Sequence, residues 1–362
     1  MLRVLMLVNW PIVRRQEFDP NIRIADQLVL GKRYWFSSYW PSNVNVDVVG
    51  IDTDFPLYPL ESRLKIYVQH AKALSRISAY DLILTHDSGS AFVVAILRSK
   101  IAAFGSIPHV MIEVGLPGAP ERRFRQLPLS LKYGLLKTVF NTKTVSHIVF
   151  HSSCQRLFYA RALGFPEERL SYVPFGVETD YFKPEPLSTE GYIFTAGEFR
   201  DFLTLLNVYR RWHEKLPELR IRSGLPKPKN LPPNVKFLPR APISIFKQDA
   251  LRARFVVLPV HYTLRSTGLM TLLQCMALAK AVIVSRVPAV DGYVIDGKTA
   301  LYYTPYDAQD LFRKISLLVN EDKLVHNLGR EARREVEENF DIQRMGTELW
   351  GCVSRVLREG CE

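Results

Sequence analysis

The sequence predicts an α/β chain made of two doubly wound units with parallel sheets. Three observations predict it. Short apolar runs alternate with helix-length segments, the alternation restarts after Gly191, and a connector containing Pro184-Glu185-Pro186 separates the two series. The 362 residues suit two domains of ordinary size. With 47% hydrophobic and 23% charged residues and no low-complexity run, the composition excludes a mainly disordered chain.

Taken in order, residues 4–8 read as the first buried strand. MLRVLMLVNWP lacks the long apolar core and small-residue cleavage site of a secretory leader. A helix over 24–36, a strand over 46–51, a helix over 62–77 and strands over 81–85, 109–114 and 147–150 follow. Those strands end on His86-Asp87, on Glu113 and on His151-Ser152, which should gather where open α/β sheets hold ligands. Each also suits a satisfied polar group at a strand end. Asn9-Trp10-Pro11-Ile12-Val13 stands where a G-x-G-x-x-G would follow the first strand, which removes most support for a dinucleotide oxidoreductase.

The second series begins with a strand over 192–195, a helix over 203–214 and strands over 219–222, 235–238 and 255–259. Ser266 and Thr267 are good N-cap residues before a helix starting near Gly268, whose apolar positions Leu269, Leu272, Leu273 and Met276 recur at helical spacing. A buried strand over 281–285 and a hairpin over 294–303, turning at Asp296-Gly297, come next. No acidic residue lies between Asp249 and Asp291, whereas Arg252, Arg254, Arg265, Lys280 and Arg286 do. A helix start beside Arg265 therefore favours an anion, a diphosphate in particular. The same pattern also suits a capped core helix with solvated arginines. Residues 341–357 read as a terminal helix.

The net charge of +12 is uneven: Arg122 to Pro166 holds no acidic residue but eight cations from Arg122 to Arg161. Leucines and aromatics interleave with these, so segment 122–143 suits an anionic membrane surface; without any nucleic-acid-binding signature, nucleic acid ranks below it. A helix packed inside its domain fits equally well. The aromatic cluster from Tyr34 to Trp40 suits an acceptor groove, a headgroup level or, more commonly, a core. No apolar run reaches the roughly 20 residues of a membrane span. Cys154, Cys275, Cys352 and Cys361 have neither zinc-site nor disulfide-framework spacing, which points to a reducing, cytoplasmic setting, with a peripheral place on the inner membrane face as the reading of 122–143.

The stretch Ser171-Tyr172-Val173-Pro174-Phe175-Gly176-Val177-Glu178-Thr179-Asp180-Tyr181-Phe182 resembles the interdomain segment of GT-B glycosyltransferases of family 4, glycosyl transferases group 1. Ala196-Gly197, the 266–285 helix and strand, and Asp296-Gly297-Lys298-Thr299-Ala300-Leu301 extend the likeness over most of 145–345. The resemblance implies the GT-B fold: two Rossmann-like domains facing a central cleft, with a C-terminal helix crossing back. It places an acceptor-binding domain at 1–173, a nucleotide-sugar-binding domain at 174–340 and the returning helix at 341–362. It further implies retaining transfer from a nucleotide-diphosphate sugar without a catalytic metal; a glycan or lipid-linked acceptor is the expectation drawn from the charge of segment 122–143.

By the same resemblance the donor is held by Gly197, Arg200, Arg265, Ser266, Thr267, Gly268 and Gln274. The chain departs from the family at three of its positions: Glu198 stands where an arginine usually follows the glycine, and the paired glutamates fall on Ser266 and Gln274. The leaving phosphate oxygen or a side chain among Glu113, His86 and Asp87 is the candidate for the acceptor's proton, and His151 and Ser152 are candidates for contacts to acceptor or sugar. The altered positions keep two other readings in play, a GT-B-like binding subunit without turnover and a sugar-nucleotide epimerase.

Overall fold

The structure, a computed structural model, describes residues 1–9, 36–52, 54–64, 67–101, 105–114, 129–186 and 189–359. The predicted helix over 24–36 lies outside these residues except for Phe36. The chain divides into two compact units. One comprises Met1–Pro174, Leu264–Ser266 and Gln343–Glu362; the other comprises Phe175–Thr263 and Thr267–Ile342.

The N-terminal unit holds six parallel strands in the order β2-β1-β3-β4-β5-β6. They are β1 (Leu2–Val8), β2 (Val44–Val49), β3 (Leu82–His86), β4 (His109–Glu113), β5 (His147–Phe150) and β6 (Leu170–Tyr172). β3, β4 and β5 are buried at every position, as parallel strands covered on both faces require. Helices α1 (Tyr58–Leu64), α2 (Ser88–Lys100) and α3 (Leu129–Val139) belong to the same unit.

The single helix predicted over 62–77 is instead α1 followed by separate short turns at Val68–His70, Ala71–Leu74 and Ile77–Ala79. The Glu61 carboxylate accepts from both the backbone and the side-chain amide of Gln69, a contact that helical periodicity does not encode. Phe36 and Trp40 are core residues, and Trp40 donates its indole N–H to Gly346 and packs 5.5 Å from Trp350. The residues 32–35 of the aromatic cluster lie outside the described part.

In the C-terminal unit six parallel strands run in the order β12-β11-β10-β7-β8-β9. They are β7 (Ile193–Ala196), β8 (Leu219–Arg222), β9 (Val235–Leu238), β10 (Phe255–Leu258), β11 (Val282–Ser285) and β12 (Leu301–Tyr303). The helices are α4 (Phe202–Trp212), α5 (Ile243–Arg252), α6 (Leu269–Ala277), α7 (Ala308–Asn320) and α8 (Asp322–Asn339); the final helix α9 (Ile342–Glu359) groups from Gln343 onward with the N-terminal unit. Leu205, Tyr209, Val257, Ile283, Leu311 and Ile315 are fully buried in one apolar cluster between this sheet and its helices.

No hairpin forms over 294–303. Gly297 turns the chain and donates to the Ala300 carbonyl, but β12 pairs with β11 in parallel at Ile283↔Leu301. The turn was readable from Asp296-Gly297; the long-range partner of the strand after it was not.

In each unit the strand order reverses next to the first strand, between β1 and β3 and again between β7 and β10. Those are the topological switch points, where the loops leaving neighbouring strands diverge and open a crevice.

Candidate functional site

In the C-terminal unit Gly197 leaves β7 with φ 117°, and Arg200 then forms an antiparallel bridge to Val260 just past β10. The two loops of the switch point are thus tied together at Arg200. Its side chain is 6% exposed. Nε donates to the Ala196 carbonyl at 3.0 Å, Nη1 to the Phe199 carbonyl at 3.1 Å and Nη2 to the Thr271 hydroxyl at 3.2 Å. A β-carbon on Gly197 would lie 2.8 Å from Nη2, so the guanidinium fills the space that a side chain there would need.

Burial lowers the Arg200 pKa to about 10, which leaves it protonated at neutral pH. Among the described residues no carboxylate forms an ion pair with it. Asp201, the next residue, turns Oδ1 to the Thr204 amide as the N-cap of α4. Glu198 is directed elsewhere, 3.7 Å from Arg240. A buried, hydrogen-bonded cation without an acidic partner is suited to an anion that is itself held by other donors.

Such donors stand beside it. α6 begins after Gly268, which has φ 91° and offers no side chain, so the amides of the first turn are not taken up by a side-chain cap. A β-carbon on Gly268 would lie 3.1 Å from Val260 Cγ2 and 3.4 Å from Arg200 Nη1. Gln274, buried to 6% exposure, lies further along the same helix. The positive helix end, Arg200 and two glycines that keep the backbone bare lie together, and donors so arranged are of the kind that suits an anion.

Ser266 and Thr267 do not cap α6 as the sequence suggested; Gly268 holds that position. Residues 264–266 group with the N-terminal unit, where the Ser266 amide donates to the Val114 carbonyl and its hydroxyl to Gln155 Oε1 at 3.0 Å. Arg265 belongs to that same segment, so within the C-terminal unit the cation at the helix start is Arg200.

In the N-terminal unit His86, Glu113 and His151 come to one sheet edge. His86 pairs in register with Ile112, and Glu113 with Phe150, the residue before His151. The His86 and His151 rings are 6.3 Å apart. His151 donates Nδ1–H to the Val173 carbonyl at 2.8 Å, which leaves Nε2 as its acceptor nitrogen. Burial pushes the His151 pKa down to about 4 and that of His86 well below the usual range, His151 adding to the latter effect. Both rings are neutral at pH 7.

Asp87 adopts φ 78° and ψ 151°, a conformation costly for any residue but glycine, and its carboxylate accepts from the Ser88 amide at the start of α2. Asn9, at the end of β1, accepts from the Ser90 amide. Ser152 is fully buried, with its amide 3.3 Å from Gln155 Oε1, the atom that also receives Ser266. Burial, then Glu113 and Asp87, push the Tyr159 hydroxyl above its usual pKa. Among the described residues no group of three His, Cys, Asp or Glu is placed to hold a metal ion, and no helix is long and apolar enough to cross a membrane.

Two six-stranded parallel sheets of this order match known structures along almost their full length. The sucrose-phosphate synthase tll1590 of Thermosynechococcus elongatus superposes with TM-score 0.75 at 17% identity, covering 99% of both chains. Alr3699/HepE of Anabaena in complex with UDP-glucose gives 0.67 at 14% identity, covering 98% of this chain and 100% of that one. A glycosyltransferase of Rickettsia africae gives 0.66 at 12% identity, covering 98% of each. The fold is GT-B. Within this GT-B chain residues 225–335 match the family described as Glycosyl transferases group 1. No curated protein matches it by sequence.

Sequence reasoning did not find Thr271, Val260 or Gln155. Val260 and Thr271 meet Arg200 only through pairings across the switch point, and Gln155 gains its role from a segment 111 positions away. No local pattern announces such contacts.

Proposed function

We propose that this protein transfers a sugar from a nucleotide-diphosphate sugar to a glycan or lipid-linked acceptor, with retention of anomeric configuration and without a catalytic metal. The observation that carries the reading is the buried Arg200 guanidinium, which has no acidic partner among the described residues and lies against Gly268 at the uncapped start of α6. The match of residues 225–335 to Glycosyl transferases group 1 supports it, as do the HepE structures in complex with UDP and glucose and with UDP-glucose.

In this reading Gly197, Arg200, Thr267, Gly268 and Gln274 hold the donor within the C-terminal unit, whereas Arg265 and Ser266, expected with them from the sequence, group with the N-terminal unit. Negative charge developing on the leaving diphosphate is stabilised by Arg200 and the α6 amides. The acceptor proton passes to the leaving phosphate oxygen or to Glu113, His86 or Asp87, and His151 and Ser152 contact acceptor or sugar. Burial that keeps His86 neutral also makes it a weak base, which favours the leaving phosphate oxygen or a carboxylate as the proton's destination.

In this reading the acceptor lies at a membrane surface; the support is α3, where Leu131, Leu135 and Lys137 are exposed, with exposed Leu157 and Arg161 in the turn whose Phe158 packs on Tyr133 of α3. Residues 122–128 of that segment lie outside the described part. The location that follows is cytoplasmic, at the inner face of a membrane. Flotation with anionic vesicles tests this part, and binding that salt leaves unchanged would end the electrostatic reading.

A non-catalytic binding subunit is the second reading, favoured by the Ser266 hydroxyl, which is engaged by Gln155. A thermal-shift panel of UDP-, GDP-, ADP-, TDP- and CMP-sugars followed by product mass separates the readings. A glycoside product supports transfer, binding without product supports the subunit, an isomeric nucleotide sugar indicates an epimerase, and no shift with any donor sinks the donor site.

A further inference from the structure

Tyr306 is held at φ 65°, in the left-handed region that a bulky side chain rarely occupies. The turn around it is fixed on both sides. Thr304 donates its amide to Asp310, Asp307 donates to the Thr304 carbonyl, and the Asp307 carboxylate caps α7 through the Gln309 and Asp310 amides. Tyr306 is 55% exposed, so packing in the core is not what holds it there.

What it does contact is the loop that leaves β10. The Tyr306 hydroxyl accepts from the Tyr262 amide at 2.9 Å, and its ring lies 6.0 Å from that of His261. Tyr262 stands two residues past Val260, and Val260 both pairs with Arg200 and packs against Gly268. One exposed phenol therefore fixes the outer end of a loop whose inner end supports both Arg200 and Gly268.

We infer that Tyr306 is a positioning residue for donor binding: its hydroxyl straps the 260–263 loop to the end of β12, and through Val260 this sets where Gly268 and Arg200 stand. The inference rests on the donor site proposed above. It does not require Tyr306 to touch the ligand.

The test uses the full chain with Tyr306→Phe and Tyr306→Gly. Phenylalanine keeps the ring and removes the acceptor oxygen; glycine removes the oxygen and relieves the backbone conformation. Amide hydrogen exchange over 259–268 should quicken about threefold to tenfold in both, the range expected for losing one hydrogen bond. Affinity for UDP, or for the nucleoside diphosphate that the donor panel selects, should fall by a similar factor, while the glycine variant melts no lower than wild type.

A purely structural Tyr306 would not weaken nucleotide binding in a variant that keeps its melting temperature. Unchanged exchange over 259–268, or unchanged affinity in both variants, overturns the inference. If wild type binds no nucleoside diphosphate at all, the proposed function fails and donor positioning falls with it, whereas the exchange result still decides whether the strap exists.

Discussion

Arg200 and Gly268 stand in direct contact: a β-carbon on Gly268 would meet Arg200 Nη1 at 3.4 Å, an ordinary contact, and Val260 Cγ2 at 3.1 Å, a tight one. Because φ at Gly268 is 91°, alanine there meets both strain and crowding. Gly268→Ala should destabilise the C-terminal unit by about 1 to 2 kcal/mol and, by pressing on Val260, weaken UDP binding. Denaturant unfolding gives the first quantity and UDP calorimetry the second. An alanine variant that binds UDP as wild type does would remove this contact from the site.

Arg200→Lys tests the fork rather than the charge. One ammonium cannot reach the Ala196 and Phe199 carbonyls and the Thr271 hydroxyl in the planar arrangement that the guanidinium uses. The variant should lose roughly tenfold in UDP affinity, the equivalent of about 1.4 kcal/mol. Retention within twofold would show that a point charge suffices.

The sequence displayed strands better than their partners. β5, β8 and β9 fall on the residues expected, because each is a short apolar or alternating run with polar boundaries. β12 was expected in a hairpin, since Asp296-Gly297 is a strong turn signal and nothing local distinguishes a neighbouring strand from one that pairs across the sheet. The site divides in the same way. Gly197, Arg200 and Gly268, expected at the donor site from motif position, do lie together, while the place of Gly268 as N-cap instead of Ser266 depends on where residues 264–266 are held.

Arg333 ties α8 to two distant stretches through one nitrogen. Nη1 donates to the Thr179, Phe182 and Ala277 carbonyls at 3.1, 2.5 and 2.8 Å, and Nη2 pairs with Glu337 at 2.6 Å. Removing it leaves partly buried carbonyls without their donor. Arg333→Ala should cost about 2 to 4 kcal/mol in unfolding free energy of the C-terminal unit, and Arg333→Lys should recover only part of this. A loss under about 0.5 kcal/mol, the level of an ordinary surface change, would mean that water replaces the guanidinium freely.

Five buried histidines, His70, His86, His109, His147 and His151, all belong to the N-terminal unit, and burial is the leading cause that lowers each pKa. His70, His147 and His151 fall to about 4 and His109 to about 3, with Arg98 adding to His109 and Arg355 and Arg169 to His147. Unfolding returns each ring to a pKa near 6.5. Between that value and the folded value the unfolded chain binds protons that the native chain does not, so stability rises with pH there and is lost as pH falls. At pH 5.5 each ring contributes about 1 kcal/mol of destabilisation relative to pH 7.5, several in sum. Calorimetry from pH 7.5 to 5.5 stays above the range where most carboxylates titrate, and it should show the N-terminal unit melting progressively earlier as pH falls below about 6.5. A transition for that unit that does not move over this range would mean that the imidazoles gain protons in the folded state, through solvent access that their burial in this structure does not provide.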